Sequence, residues 1–191
     1  MTASYSSAAK LRETAKNARR SMHAHERDVA SRRITDRFLN SQHFFSSRSV
    51  ACYLAAWDEV DTSAIIERAW RAKKRVFAPV VDKHGSMSFH GMHPETTLIR
   101  NRFGLWEPQS TEIIRPADID IVVTPVVAFD EQRNRIGMGG GYFDRAFAFL
   151  QWRQCWLRPK LVGLAFECQK IEKISPKPWD IRLYRVFCES A

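Results

Sequence analysis

Apolar positions recur with two different periods along this chain. Between residues 8 and 20 the period is helical. Leu11, Ala15, Ala18 and Met22 fall at i, i+4, i+7 and i+11 and form one stripe, with Lys10, Arg12, Lys16, Arg19 and Arg20 spread around the rest. A second helix is predicted over 24–40 from Ala30, Ile34 and Phe38. No strong cap marks Ser21–His25, so one bent helix is the alternative. From Val50 the pattern changes. VACYLA is a continuous apolar, β-prone run and reads as a buried strand ending in the polar segment WDEVD. A helix is predicted over 62–73, capped by Asp61 or Thr62, with Ile65, Ile66, Ala69 and Trp70 inward. RVFAPV is the next strand, stopped by Pro79, and SMSFHGM a short edge strand.

Residues 91–118 carry Pro94, Gly104, Pro108 and Pro116 and read as irregular surface with one turn of helix. In IDIVVTPVVAF, Pro125 limits the strand to about 119–124. A glycine loop, a helix over 142–152, the core strand KLVGLAF and a final strand in ISPKPWDIRLYRVF complete the chain. Strands alternating with helices imply an α/β fold with a mainly parallel sheet behind a helical N-terminal segment. Ligands of such sheets sit beyond the carboxyl ends of the strands. Three polar clusters fall there or after: Trp57–Asp61, the glycine stretch and Trp179–Asp180.

The glycine stretch, FDEQRNRIGMGGGYFDR over Phe129–Arg145, holds four of the chain's eight glycines between Gly137 and Gly141. Glycine permits positive φ and close approach of a ligand to the main chain. Strand, glycine loop and helix in succession make a positive pole of amides and helix N-terminus, suited to phosphate. Arg135, Tyr142, Asp144 and Arg145 add charge and a hydroxyl. The loop is neither a Walker A motif, since no Gly-Lys-Ser/Thr ends it, nor GxGxxG, since residue 142 is Tyr. Asp144 reads as a capping carboxylate or a magnesium ligand, and Asp180 as a turn aspartate or a second such ligand. Glu59 reads as a solvated loop acid or as a carboxylate for the N–H groups of a pterin-like or purine-like ring, on which Trp57 could stack. HExxH and GxSxG are absent, which argues against a zinc site and a hydrolase nucleophile elbow.

Length and composition add bounds. At 191 residues the chain reads as a single domain, 1–191, with a helical segment over about 8–40 and an α/β core over about 49–191. A net charge of +9 fits a protein that handles anions, but no run of five basic residues occurs, which weakens a nucleic-acid reading. No apolar run approaches the roughly 20 residues that span a bilayer, and the N-terminus lacks an apolar signal core. The expectation is a cytoplasmic protein. The cysteines Cys52, Cys155, Cys168 and Cys188 show no CxxC spacing and read as reduced and structural.

The string AFDEQRNRIGMGGGYFDR resembles the signature of the 5-formyltetrahydrofolate cyclo-ligase family, also called 5,10-methenyltetrahydrofolate synthetases. LAAWDEVDTSAI, IEKISPKPWDIRL and the N-terminal KLR resemble further family segments, so the likeness covers essentially the whole chain. It implies a Rossmann-like three-layer α/β sandwich. It also implies a ligase that turns 5-formyltetrahydrofolate into 5,10-methenyltetrahydrofolate with ATP and Mg²⁺, through an iminophosphate that N10 closes. Carried onto this chain, ATP falls to Lys10, Arg12, Arg135, Ile136, Gly137, Met138, Gly139, Gly140, Gly141, Tyr142 and Phe143. The folate falls to Leu54, Glu59 and Met138–Tyr142, Mg²⁺ to Asp144 and Asp180, and catalysis to Arg135 and Tyr142. The implied protein is a monomer acting on small molecules, without nucleic acid or membrane. Three departures stand out. Ala8 occupies the place of a family lysine, for which Lys10 is the expected substitute; Phe143 replaces a tyrosine; and Gly140 stands where some relatives carry lysine. A weakly catalytic folate or nucleotide binder and a basic nucleic-acid module are the alternatives.

Overall fold

The Ser7 hydroxyl accepts from the Lys10 amide at 3.4 Å and starts helix α1 (Ala8–Ser21). Met22 and His23 take extended backbone before α2 (Ala24–Leu39), so the N-terminal segment is two helices and not one bent helix. The structure, a computed structural model, describes residues 7–152 and 158–190; Cys155 lies outside them. A short α3 (Gln42–Ser46) leads into β1 (Ser49–Cys52), α4 (Ser63–Arg71), β2 (Arg75–Val81) and β3 (Met87–Gly91). There follow β4 (Leu98–Arg100), β5 (Trp106–Pro108), β6 (Ile113–Ile114), β7 (Ile121–Pro125), β8 (Ala128–Phe129) and β9 (Arg135–Ile136). The last elements are α5 (Tyr142–Ala146), β10 (Lys160–Leu164) and β11 (Arg185–Phe187).

Seven of these strands form one sheet in the order β11-β10-β7-β1-β2-β3-β6. The pairs from β11 to β2 are parallel, and β3 and β6 are added antiparallel. Both faces are apolar, as the continuous runs predict. Val50, Cys52 and Val123 face one side, where Ile34, Phe38, Phe44, Ile65 and Ala69 of the helices cover them. Ala51 and Val122 face the other, with Phe147, Leu150, Ile181 and Leu183. The three-layer α/β arrangement predicted from the sequence is therefore present, with a largely irregular second outer layer. Cys52 is sealed in the core, and burial pushes its thiol up to about 12, which makes it inert.

Several local expectations change. Pro79 does not stop β2, which runs to Val81. Beyond Phe77 the strand has no β1 partner, so a residue without an N–H is tolerated there. β3 is not an edge, because β6 pairs outside it. Within 91–118 the β4–β5 hairpin forms, and the expected helical turn is the 3₁₀ turn Pro116–Asp118. β7 starts at Ile121, later than expected. The Asp120 carboxylate makes a corner instead, accepting from the Arg48 and Ser49 amides at 2.8 and 3.0 Å. The helix expected over 142–152 is the five-residue α5 followed by the 3₁₀ turn Ala148–Trp152. Phe147 and Leu150, three apart, both enter the core, which suits the three-residue period.

Gly163, the fourth residue of β10, leaves no room for a methyl group. A Cβ there would meet Leu183 Cδ1 at 2.7 Å and Val126 Cγ2 at 2.8 Å. Gly163→Ala is expected to lower unfolding free energy by roughly 1–3 kcal/mol through overpacking. Urea denaturation checks this, and an unchanged midpoint would count against the packing described. Among the described residues no helix is long and apolar enough to cross a membrane.

Candidate active site

The glycine loop does not follow β7 directly. The β8–β9 hairpin intervenes, with Ala128 opposite Ile136 and Phe129 opposite Arg135. Its turn is braced by buried Asp130, which accepts from the Asn134 amide, the Asn134 side chain and the Ile174 amide, each at 2.9 Å. Gly139 and Gly141 take φ of +108° and +64°, conformations that other residues adopt at a cost. α5 has five residues, too few for a substantial macrodipole. The positive pole expected from a helix therefore rests on loop amides and on two arginines. Arg12 Nε donates to the Gly137 carbonyl at 2.8 Å, and its guanidinium lies beside Gly139. Arg145 donates to the Gly140 and Gly85 carbonyls at 2.8 and 3.2 Å and lies 5.1 Å from the centre of the Tyr142 ring. A Cβ at Gly140 would come within 2.4 Å of that ring. The glycine at 140 and the position of Tyr142 thus go together. Met138 is exposed on the outside of the loop.

Arg135 has a different task from the phosphate contact expected of it. Its side chain is buried, donates to the Ile181 carbonyl, and pairs with Asp144 Oδ1 at 2.8 Å. The Ile181 amide donates to the same oxygen at 3.0 Å. Arg135 therefore clamps the Trp179–Ile181 segment to the start of α5, and both of its terminal nitrogens are engaged. Two more side chains of the expected ATP set pack inward. Ile136 packs with Ala15, Val127 and Ala128, and Phe143 against Phe89 and Phe147. Ile136 is buried, and Phe143 is half-buried at the edge of its apolar cluster.

The clamp sets Asp180 next to the residue that Asp144 binds. Asp180 Oδ2 accepts from the Lys177 amide at 2.8 Å. Asp144 Oδ2 and Asp180 Oδ1 accept no hydrogen bond among the described residues. Those residues contain no group of three or more acidic, histidine or cysteine side chains able to cage a metal by themselves. Two carboxylate oxygens without a hydrogen-bond partner among the described residues suit a cation such as Mg²⁺, which keeps several waters and needs few protein ligands.

Glu59 lies in a tight turn: its amide donates to the Ala56 carbonyl, and its Oε2 accepts from the Ala56 amide, both at 3.0 Å. It lines a cavity of about 310 Å³ with Arg27, Ser31, Ala55, Ala56 and Trp57. Burial holds its carboxyl above the ordinary value, opposed by the Ala56 amide and Arg19 and reinforced by Asp58. Trp57 stands out to solvent at 71 % exposure, with the Arg27 guanidinium 5.4 Å from its ring centre. Leu54 is half-buried against the helix-side core.

Helix α1 joins the two regions. Arg12 holds the glycine loop, and Arg19, two turns on, forms a buried ion pair with Asp58 at 2.8 Å. At 1.5 Å per residue the two are about 10 Å apart along one helix face. Lys10 is exposed and sits roughly 200° around the helix from Arg12, so it does not stand in for the lysine missing at Ala8. Arg19, Asp58 and Arg27 escaped the sequence reading, although Arg12, Lys16 and Arg19 at i, i+4 and i+7 already formed a cationic line.

Comparison with known proteins adds the following. The model of a family described as the 5-formyltetrahydrofolate cyclo-ligase family matches residues 4–189. The 5-formyltetrahydrofolate cyclo-ligase of Escherichia coli K12 is 34% identical over 176 residues, which cover 90% of this chain and 94% of that one. The Haemophilus influenzae protein of the same name is 33% identical over 181 residues, covering 92% and 94%. The solution structure of Aquifex aeolicus 5,10-methenyltetrahydrofolate synthetase superposes with a TM-score of 0.83 at 27% identity, covering 96% of this chain and 90% of that one. A Mycoplasma pneumoniae 5,10-methenyltetrahydrofolate synthetase shares the fold, with a TM-score of 0.75 at 21% identity over 97% and 100% of the chains.

Proposed function

The chain belongs to the 5-formyltetrahydrofolate cyclo-ligase family, and on that premise we propose that it is a ligase converting 5-formyltetrahydrofolate to 5,10-methenyltetrahydrofolate, with ATP cleaved to ADP and phosphate. One observation carries the residue assignment. A single face of α1 holds the glycine loop through Arg12 and, through the Arg19–Asp58 pair, the turn that presents Glu59. A phosphate site and a heterocycle site thus share one rigid spacer.

The chemistry follows from that spacing. Loop amides of Gly137–Gly141, with Arg12 and Arg145, hold the nucleotide phosphates and spread the charge of the transferring phosphoryl group. Glu59 accepts from the N–H groups of the pterin ring, and Leu54 and Trp57 flank it. The formyl oxygen attacks the γ-phosphorus and ADP leaves, giving an N5-iminophosphate. N10 then attacks the activated carbon, the carbon–oxygen bond breaks, phosphate leaves and N10 loses its proton. Fixing the formyl group between the loop and Glu59 is a proximity effect. Tyr142, beside Arg145 and the loop, lies where the formyl group meets the phosphate. Mg²⁺ would be held by Asp144 and Asp180 and, when bound, supplies charge neutralisation on the phosphates.

Arg135 acts here by position, through the clamp on Asp144 and Ile181. The reading also makes the protein a cytoplasmic monomer without a nucleic-acid partner, in keeping with the lack of any run of five basic residues in the chain. One test follows the oxygen. With the formyl oxygen of the substrate labelled as ¹⁸O, the label is expected in the released phosphate at one atom per turnover. Unlabelled phosphate would exclude the iminophosphate.

A further inference from the structure

The Glu59 turn and the glycine loop described above follow the carboxyl ends of β1 and, through the β8–β9 hairpin, β7. A second cavity, of about 410 Å³, opens near the amino end of β11 and is lined by Arg37, Ser41, Gln42, His43, Arg185 and Phe187. Lys160, the first residue of β10, stands at its margin with Nζ 3.5 Å from His43 Nδ1. The Tyr184 ring is edge-on to His43 at 5.1 Å and lies beneath Lys160 at 4.9 Å. Arg37 reaches the Glu189 carbonyl at 3.0 Å. Among the described residues, Arg37, Lys160 and Arg185 make no ion pair with any carboxylate. Three cations from α2, β10 and β11 thus border one concavity, Arg37 and Arg185 exposed and Arg185 lying over the Phe187 ring at 5.2 Å, an arrangement that favours entry of an anion. His43 is held below the ordinary histidine value, first by burial and then by Lys160 and Arg185.

We propose that this cavity is a second ligand site, separate from the reaction cleft, that binds a small phosphate-bearing anion. Two guanidinium forks match phosphate oxygens in a way that isolated ammonium groups do not. Lys160 and the Gln42 side chain complete the polar rim. The cavity has the volume of a small-molecule pocket, and Phe187 forms part of its wall. Three cations grouped on one concavity do not track an extended polyanion. The ligand is therefore a phosphate monoester, diphosphate or free phosphate, and not a nucleic acid.

His43 reports on the site. The intact chain is titrated with inorganic phosphate, pyrophosphate or glycerol phosphate at constant ionic strength, and the His43 imidazole is followed by NMR. At least one of these anions is expected to give a saturable shift at millimolar concentration and to raise the imidazole pKa, because the anion offsets Lys160 and Arg185. The arm that saturates first separates free phosphate from diphosphate and ester. An Arg37→Gln/Arg185→Gln variant is expected to bind roughly tenfold or more weakly, with turnover of the reaction unchanged. Arg185→Gln alone serves as the second variant should the double one fail to fold. An Arg12→Ala variant is expected to keep the His43 response in full, because its lesion is at the other end of the sheet. A response no larger than that to chloride, an undiminished response in the glutamine variants, or its loss in Arg12→Ala would overturn the proposal.

Discussion

An Arg12→Ala variant is expected to lose about a hundredfold or more in kcat/KM for ATP, the scale seen when one preorganised donor to a developing charge is removed. Two effects combine at this residue. Its Nε holds the Gly137 carbonyl at 2.8 Å, so the loop loses its tie to α1. Its guanidinium, beside Gly139, also removes one of two arginines that flank the phosphate amides. Arg135 does not substitute, because its terminal nitrogens are committed to Ile181 and Asp144. Arg12→Lys restores charge but not the fork, so it is expected to recover only part of the loss. Steady-state kinetics with varied ATP check both. A loss below threefold in the alanine variant would remove Arg12 from the phosphate site.

Glu59→Gln is expected to weaken folate recognition by tenfold to about a hundredfold in kcat/KM, the worth of one hydrogen bond to a charged group. The KM for ATP should change by less than about twofold, since the glycine loop is untouched. The two substrates separate the effects: equal losses for both would count against a pterin-binding role. The variant also has a pH signature. Glu59 has its carboxyl raised in the folded protein, chiefly by burial, from an ordinary value of 4.5. Its folded-state protonation therefore contributes stability that is fully present below 4.5 and is lost as pH rises through the raised folded value. Glutamine carries no charge to bury. The stability of Glu59→Gln relative to the parent should therefore rise across that same window, read by urea denaturation at several pH values. A pterin donating two N–H groups favours the carboxylate, so folate binding should release a proton in this window and weaken as pH falls.

The central layout of the fold was legible because the code for it is local. Val50–Cys52 and Ile121–Val123 are apolar at consecutive positions, which marks a strand covered on both faces. The stripe from Leu11 to Ala15 sets how α1 docks. What was not legible depends on contacts distant in sequence. The two-residue strands β8 and β9 are too short to show any period. Pro79 looks like a stop until the end of β1 is known.

The site divides in the same way. The glycine crowding announced a loop built for close approach, and Glu59 stood out as an acid after a strand end. Arg12 and Arg135 carry the same charge in the sequence. Only the docking of α1 leaves one at the loop, and only the fold of the Trp179–Ile181 segment buries the other. Asp58, the acid next to Glu59, is the partner of Arg19, while Glu59 lines the cavity. Spacing along one helix face, Arg12 to Arg19, was the signal that could have joined the two halves.

The measurement that tests the account most directly mixes purified protein, ATP, Mg²⁺ and 5-formyltetrahydrofolate and follows near-ultraviolet absorbance of the methenyl product alongside ADP. The account predicts methenyl product and ADP in equal amounts, with none formed when ATP is omitted. Absence of product at micromolar enzyme, or product formed without ADP, would contradict it.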